Sequence, residues 1–85
     1  MITCFHFVRL VDPSSRTAVL RALRSAAPDA VVSLPADAHA EAAWCLSLHQ
    51  PVVDAAEAGS LAEAVRAALG DHAKVHKSWC MRAPA

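Results

Sequence analysis

Residues 43–49, Ala-Trp-Cys-Leu-Ser-Leu-His, carry the clearest strand signature in the chain. Trp44, Leu46 and Leu48 alternate with Cys45, Ser47 and His49, the period of two expected of a half-buried strand. Working upstream, residues 35–41 are polar and alanine-rich and read as a turn, and residues 30–34 read as a short partner strand. The two strands form a hairpin with a loose loop. Downstream, the chain becomes helical after Pro51. Ser60 and Glu63 have capping-box spacing, Leu61, Val65, Ala68 and Leu69 make an apolar stripe, and Gly70 is the expected stop. Residues 74–82 alternate again, with Val75, Trp79 and Met81 against His76, Ser78 and Cys80.

The N-terminal half repeats this scheme. Residues 2–11 are rich in β-branched and aromatic side chains and read as a buried strand. Asp12 and Pro13 are an N-cap and a first helical residue, and the helix is expected to run to about Ala27, with Val19, Leu20, Leu23, Ala26 and Ala27 on one side. Pro28-Asp29 ends it. The order is βαββαβ, a split βαβ unit used twice. It predicts a single domain over residues 1–85, an α+β two-layer sandwich of the ferredoxin-like kind. The crossover rule places both helices on one face of a four-stranded antiparallel sheet, order 4-1-3-2.

Composition agrees with a minimal fold. Of 85 residues, 55% are hydrophobic, but 20 are alanine, so the core must come from a limited set of larger side chains. Eight basic residues balance eight acidic ones, and no basic stripe is visible along the chain, which argues against a nucleic-acid partner. No run approaches the roughly 20 apolar residues of a membrane span, and the apolar opening stretch lacks a basic leader and is broken by Arg9. Three cysteines, an odd number, fit reduced thiols in a cytoplasm better than a disulfide framework.

The face opposite the helices is the expected working surface. If Trp44, Leu46 and Leu48 face inward, Cys45, Ser47 and His49 face out; by the same alternation His76, Ser78 and Cys80 face out on the last strand. Lys77 is an awkward inward member of that set. The first strand allows either face, since Ile2, Val8 and Leu10 share the side of Cys4 and His6; Phe5 and Phe7 are expected inward because aromatics contribute most to a small core, which turns Cys4, His6 and Val8 outward. Two readings of that face follow. In the first it is a homodimer interface or ligand surface made by His6, Val8, Cys45, Ser47, His76 and Ser78. In the second, Cys4, His49 and Cys80, with His6 as a fourth ligand, bind Zn²⁺ or Cu(I), whose ligand preferences they suit. There is no Cys-x-x-Cys pair of the kind found in the metal-binding loop of heavy-metal-associated domains.

Catalytic signals are weak. A Cys4–His49 pair has no orienting acid or oxyanion donor in the sequence, and Gly59 and Gly70 stand alone rather than in a phosphate-cradling loop. An RNA-binding reading would require Phe5 and Phe7 on the open face beside basic residues. The sequence therefore predicts a cytoplasmic, self-associating, non-catalytic binding domain, with a small-molecule or metal ligand on or between the sheet faces. Its rival is a dimeric αβ-barrel enzyme, monooxygenase- or isomerase-like, acting on a hydrophobic metabolite with His6, His49 or His76 as acid or base.

Overall fold

The computed structural model describes residues 1–34 and 44–82. Strand β1 (Ile2–Leu10) is followed by a 3-10 turn, Pro13–Ser15, and helix α1 (Arg16–Ala26). Strands β2 (Val31–Ser33) and β3 (Cys45–Val52), helix α2 (Ala55–Leu69) and strand β4 (Ala73–Arg82) complete the chain. The strands form one antiparallel sheet in the order β2-β3-β1-β4, the expected order read from the other edge. The expected turn over residues 35–41 lies outside the described residues.

Local chemistry accounts for the element boundaries. The Asp12 carboxylate accepts a 2.9 Å hydrogen bond from the Ser14 amide, which holds it below the usual carboxylate range, and Pro13 occupies the first helical position. At α2 the N-cap is Asp54, not Ser60. Asp54 accepts from the Glu57 amide at 2.9 Å, and the Glu57 carboxylate accepts from the Val53 amide at 2.9 Å. Glu57 thus reaches back across the helix start, one residue beyond the usual capping box. Ser60 lies inside the helix, where its hydroxyl donates to the Ala56 carbonyl. Strand β3 continues through Pro51, which pairs with Thr3. Strand β2 reaches only as far as His49, so β3 is an edge strand at Pro51 and the missing amide leaves no partner unmet.

Both helices pack on one sheet face around a single core. Val19, Leu23 and Ala27, at the end of α1, meet Leu61, Val65 and Leu69 from α2 and a carpet of Cys4, Val8, Leu10, Leu46, Leu48, Val52 and Ala73 from the strands. The buried helix residues recur at intervals of four, the stripe an amphipathic helix requires.

The glycines of α2 have opposite roles. Gly70 closes the helix at φ 53°, ψ −131°, a conformation side-chain-bearing residues rarely adopt. Gly70→Ala is expected to destabilise by about 1–3 kcal/mol. Gly59 is exposed inside the helix and an added methyl meets nothing within 4 Å, so Gly59→Ala is expected to stabilise by up to about 1 kcal/mol. Thermal unfolding of the two variants should shift in opposite directions; a shared direction would reject this account of the helix end.

Candidate functional site

The register decides which side chains share the helix-free face. Strand β1 buries its even residues: Cys4 and Val8 are each 1% exposed, His6 6% and Leu10 2%. Thr3, Phe5, Phe7 and Arg9 therefore point away from the helices, the reverse of the orientation expected from aromatic size. Arg9 explains the choice. It shares parity with both phenylalanines, and on a central strand the guanidinium must reach solvent.

Strand β4 changes parity midway. Val8 pairs with Val75 and Phe7 with Lys77, so His76 is an extra residue, a bulge, opposite β1. Before the bulge Ala73 and Val75 face the core; after it Ser78 and Cys80 take that side, while Lys77, Trp79 and Met81 face outward. The alternation of Val75, Trp79 and Met81 is real in sequence but crosses the sheet in space. Trp79 therefore lies on the open face, and Trp44 is half-buried just before β3.

The expected site residues accordingly divide. His6, Val8, Cys4, Ser78 and Cys80 are on the helix side; Cys45, Ser47 and His49 are on the open side; His76 is exposed at the bulge. The proposed metal set is split in the same way. Cys4 opposes Gln50 on β3, so His49, one residue along, stands on the other face, opposite Phe5. Cys4 and Cys80 do oppose each other, with sulfurs 3.0 Å apart. Among the described residues no three His, Cys, Asp or Glu side chains converge as a metal site, and a thiol pair alone falls short of the four ligands usual for Zn²⁺.

A row of aromatic groups crosses the open face instead. Trp79, Phe5, His49 and Val31 are successive neighbours across β4, β1, β3 and β2. Trp79 stacks on Phe5 with centroids 5.2 Å apart and planes within 11°, and Phe5 meets His49 at 5.7 Å. The adjacent row is Lys77, Phe7, Ser47 and Ser33, with Phe7 tilted against Trp79 at 5.2 Å. The Lys77 ammonium lies 5.7 Å from the Trp79 ring centre. Phe5, Phe7, Ser47, His49 and Trp79 line a cavity of about 270 Å³. A larger cleft of about 410 Å³ lies on the other side of β4, between it and the end of α2, with Arg66, His76 and Lys77 at its walls.

Charge is unevenly distributed over this neutral chain. Among the described residues the charged side chains of the strands are Arg9, Lys74, Lys77 and Arg82, and none is a carboxylate. Arg9 and Lys74 face each other at one end of the open face. The cue for this surface was available in the sequence as Arg9 and the misfit of Lys77, two cations that a helix-covered position would not hold.

His6 is the odd member of the core. Neither imidazole nitrogen has a hydrogen-bond partner among the described residues, and burial, aided by the Arg66 guanidinium, holds its pKa below the ordinary value. The protonation penalty of a group depressed in this way is absent above its unfolded pKa of about 6.5, and the fold loses stability as pH falls through that value toward the folded one, because the unfolded chain takes up the proton first. His6→Leu is therefore expected to match or exceed wild-type stability at about pH 7, with the gap widening toward about pH 5. A gap independent of pH in denaturant titrations would remove His6 from this role.

No family model, curated protein or solved structure matches the chain. Among the described residues no helix is long and apolar enough to cross a membrane.

Proposed function

We propose that the protein is a small, non-catalytic binding domain of the ferredoxin-like kind that pairs with a second copy of itself in the cytoplasm through its helix-free sheet face. The observation that carries this reading is the composition of the face. Phe7 is 44% exposed, Val31 52% and Met81 57%, all on the open side and grouped around the Trp79–Phe5–His49 row. An aromatic centre with cations at its margin is the anatomy of a protein interface, and an uncovered apolar face of this kind marks a contact. Two copies meeting here would close the 270 Å³ cavity into a space between sheets for a small apolar ligand. The enzyme alternative loses one of its candidate acids, since His6 is in the core.

A second reading is favoured by Phe5 and Phe7 standing outward beside Arg9, Lys74 and Lys77: a single-stranded nucleic acid whose bases stack and whose phosphates meet the cations. Self-association ranks above it because Trp79 and Phe5 are already stacked on each other, and base stacking needs free ring faces. Light scattering of the reduced protein tests the choice. A mass of twice the 9.0 kDa chain is expected. A monomer at high concentration whose tryptophan emission is quenched by oligothymidylate would reject self-association and give the face to nucleic acid.

A further inference from the structure

The dithiol on the other face of the sheet has a separate role. We propose that Cys4 and Cys80 form a reversible redox modification site, a cross-strand pair that a hydroperoxide oxidises to a disulfide tying edge strand β4 to central strand β1.

Three observations carry it. The two residues are directly opposed in the β1–β4 ladder, and their sulfurs are 3.0 Å apart, about 1 Å from bonding distance, so the bond needs no rearrangement of the sheet. Their exposures differ: Cys80 is exposed and Cys4 is buried. The pair is also isolated from the third cysteine, since Cys45 pairs with Arg9 on the open side. Placement of Cys4 and Cys80 on the helix side makes the site independent of whether the open face self-associates.

The difference in exposure sets the order of events. The Cys80 thiolate attacks the peroxide; the O–O bond breaks, water or an alcohol leaves with the proton, and Cys80 becomes a sulfenic acid. The Cys4 sulfur then attacks the Cys80 sulfur. The S–O bond breaks as the S–S bond forms, and the Cys4 proton leaves with the hydroxide as water. Two thiols and one peroxide give one disulfide and, for hydrogen peroxide, two waters. Cys4 suits the second step rather than the first: burial, the neighbouring Cys80 thiol and the Glu57 carboxylate push its pKa to about 11, so it waits protonated, and its fixed proximity supplies the rate. A low-molecular-weight thiol reverses the bond by exchange at the exposed Cys80 sulfur.

The test treats reduced wild type, Cys45→Ser, Cys80→Ser and Cys4→Ser with equimolar hydrogen peroxide, followed by intact mass and peptide mapping. Wild type and Cys45→Ser should each lose two hydrogens per chain, yield a linked Cys4–Cys80 peptide within one chain, and recover on addition of dithiothreitol. Cys80→Ser should not lose them. In Cys4→Ser, a second equivalent of peroxide should carry Cys80 on to the sulfinic acid about tenfold faster than in wild type, because nothing traps the sulfenic acid. If the buried substitution prevents folding, the wild-type map decides alone. A disulfide between chains, one that uses Cys45, or wild-type Cys80 reaching the sulfinic acid without a Cys4 link would overturn the proposal.

Discussion

Val8→Glu is expected to leave no folded protein at 25 °C, while charge reversal at its neighbour, Arg9→Glu, leaves the fold standing. Val8 is 1% exposed and lies between Leu46 and Val75 on the core face of the sheet. Truncating its burial forfeits about 1.5–3 kcal/mol. The introduced carboxyl would be desolvated between Leu46 and Val75; the Arg66 guanidinium that acts on neighbouring His6 belongs to an exposed residue, and a buried charge without a direct partner adds about 3–5 kcal/mol. An 85-residue domain at roughly 0.05–0.15 kcal/mol per residue holds about 4–13 kcal/mol in all, so the sum meets or exceeds what a marginal fold of this size possesses. Arg9 is exposed on the opposite face beside Lys74, where reversing its sign costs little. Circular dichroism and amide dispersion check both. A cooperative native-like transition in Val8→Glu would mean that β1 presents its other face to the helices.

That prediction turns on the face of β1, which the sequence pattern leaves undecided for a physical reason. Element order, strand order and both helix stripes follow from patterns local to each segment: Asp12-Pro13, the four-residue spacing of Leu61, Val65 and Leu69, and the alternation around Leu46 and Leu48. The face of β1 is a different kind of quantity. Ile2, Val8 and Leu10 oppose Phe5 and Phe7, and aromatic size points one way while the number of aliphatics and the parity of Arg9 point the other. On β4 the alternation is interrupted by one residue, His76, and a bulge leaves no mark on hydropathy except an inconsistency. Lys77, misplaced among inward residues, was that inconsistency. With the β1 face reversed and the bulge present, Trp79, Phe5 and Phe7 stand on the open side and Cys4, His6 and Val8 on the helix side. Cys4 and Cys80 stay adjacent because both strands differ from the expected orientation together, whereas β3 has the expected orientation and His49 therefore stands on the opposite face from them.

Phe7→Glu should abolish self-association without unfolding the chain. Phe7 is the second aromatic of β1, 44% exposed, between Lys77 and Ser47 in its row and against Trp79. A carboxylate there remains hydrated in the monomer and has the Lys77 ammonium on the neighbouring strand, so fold stability should change by less than about 1 kcal/mol. In a dimer with two-fold symmetry the same substitution appears twice in one interface. Loss of an aromatic anchor costs about 2 kcal/mol per copy; doubled, about 4 kcal/mol weakens Kd roughly a thousandfold. Sedimentation equilibrium over a wide concentration range reads this directly, with Val53→Glu, exposed just beyond β3, as a control that should remain dimeric. The charge argument separates the remaining possibility. Phe7→Glu also removes a stacking ring and adds a negative charge beside Arg9 and Lys77, so a nucleic-acid surface would lose oligothymidylate binding while the mass stayed that of one chain in both proteins. A wild-type dimer that persists in Phe7→Glu would show that two copies meet elsewhere and leave the aromatic row without its proposed occupant.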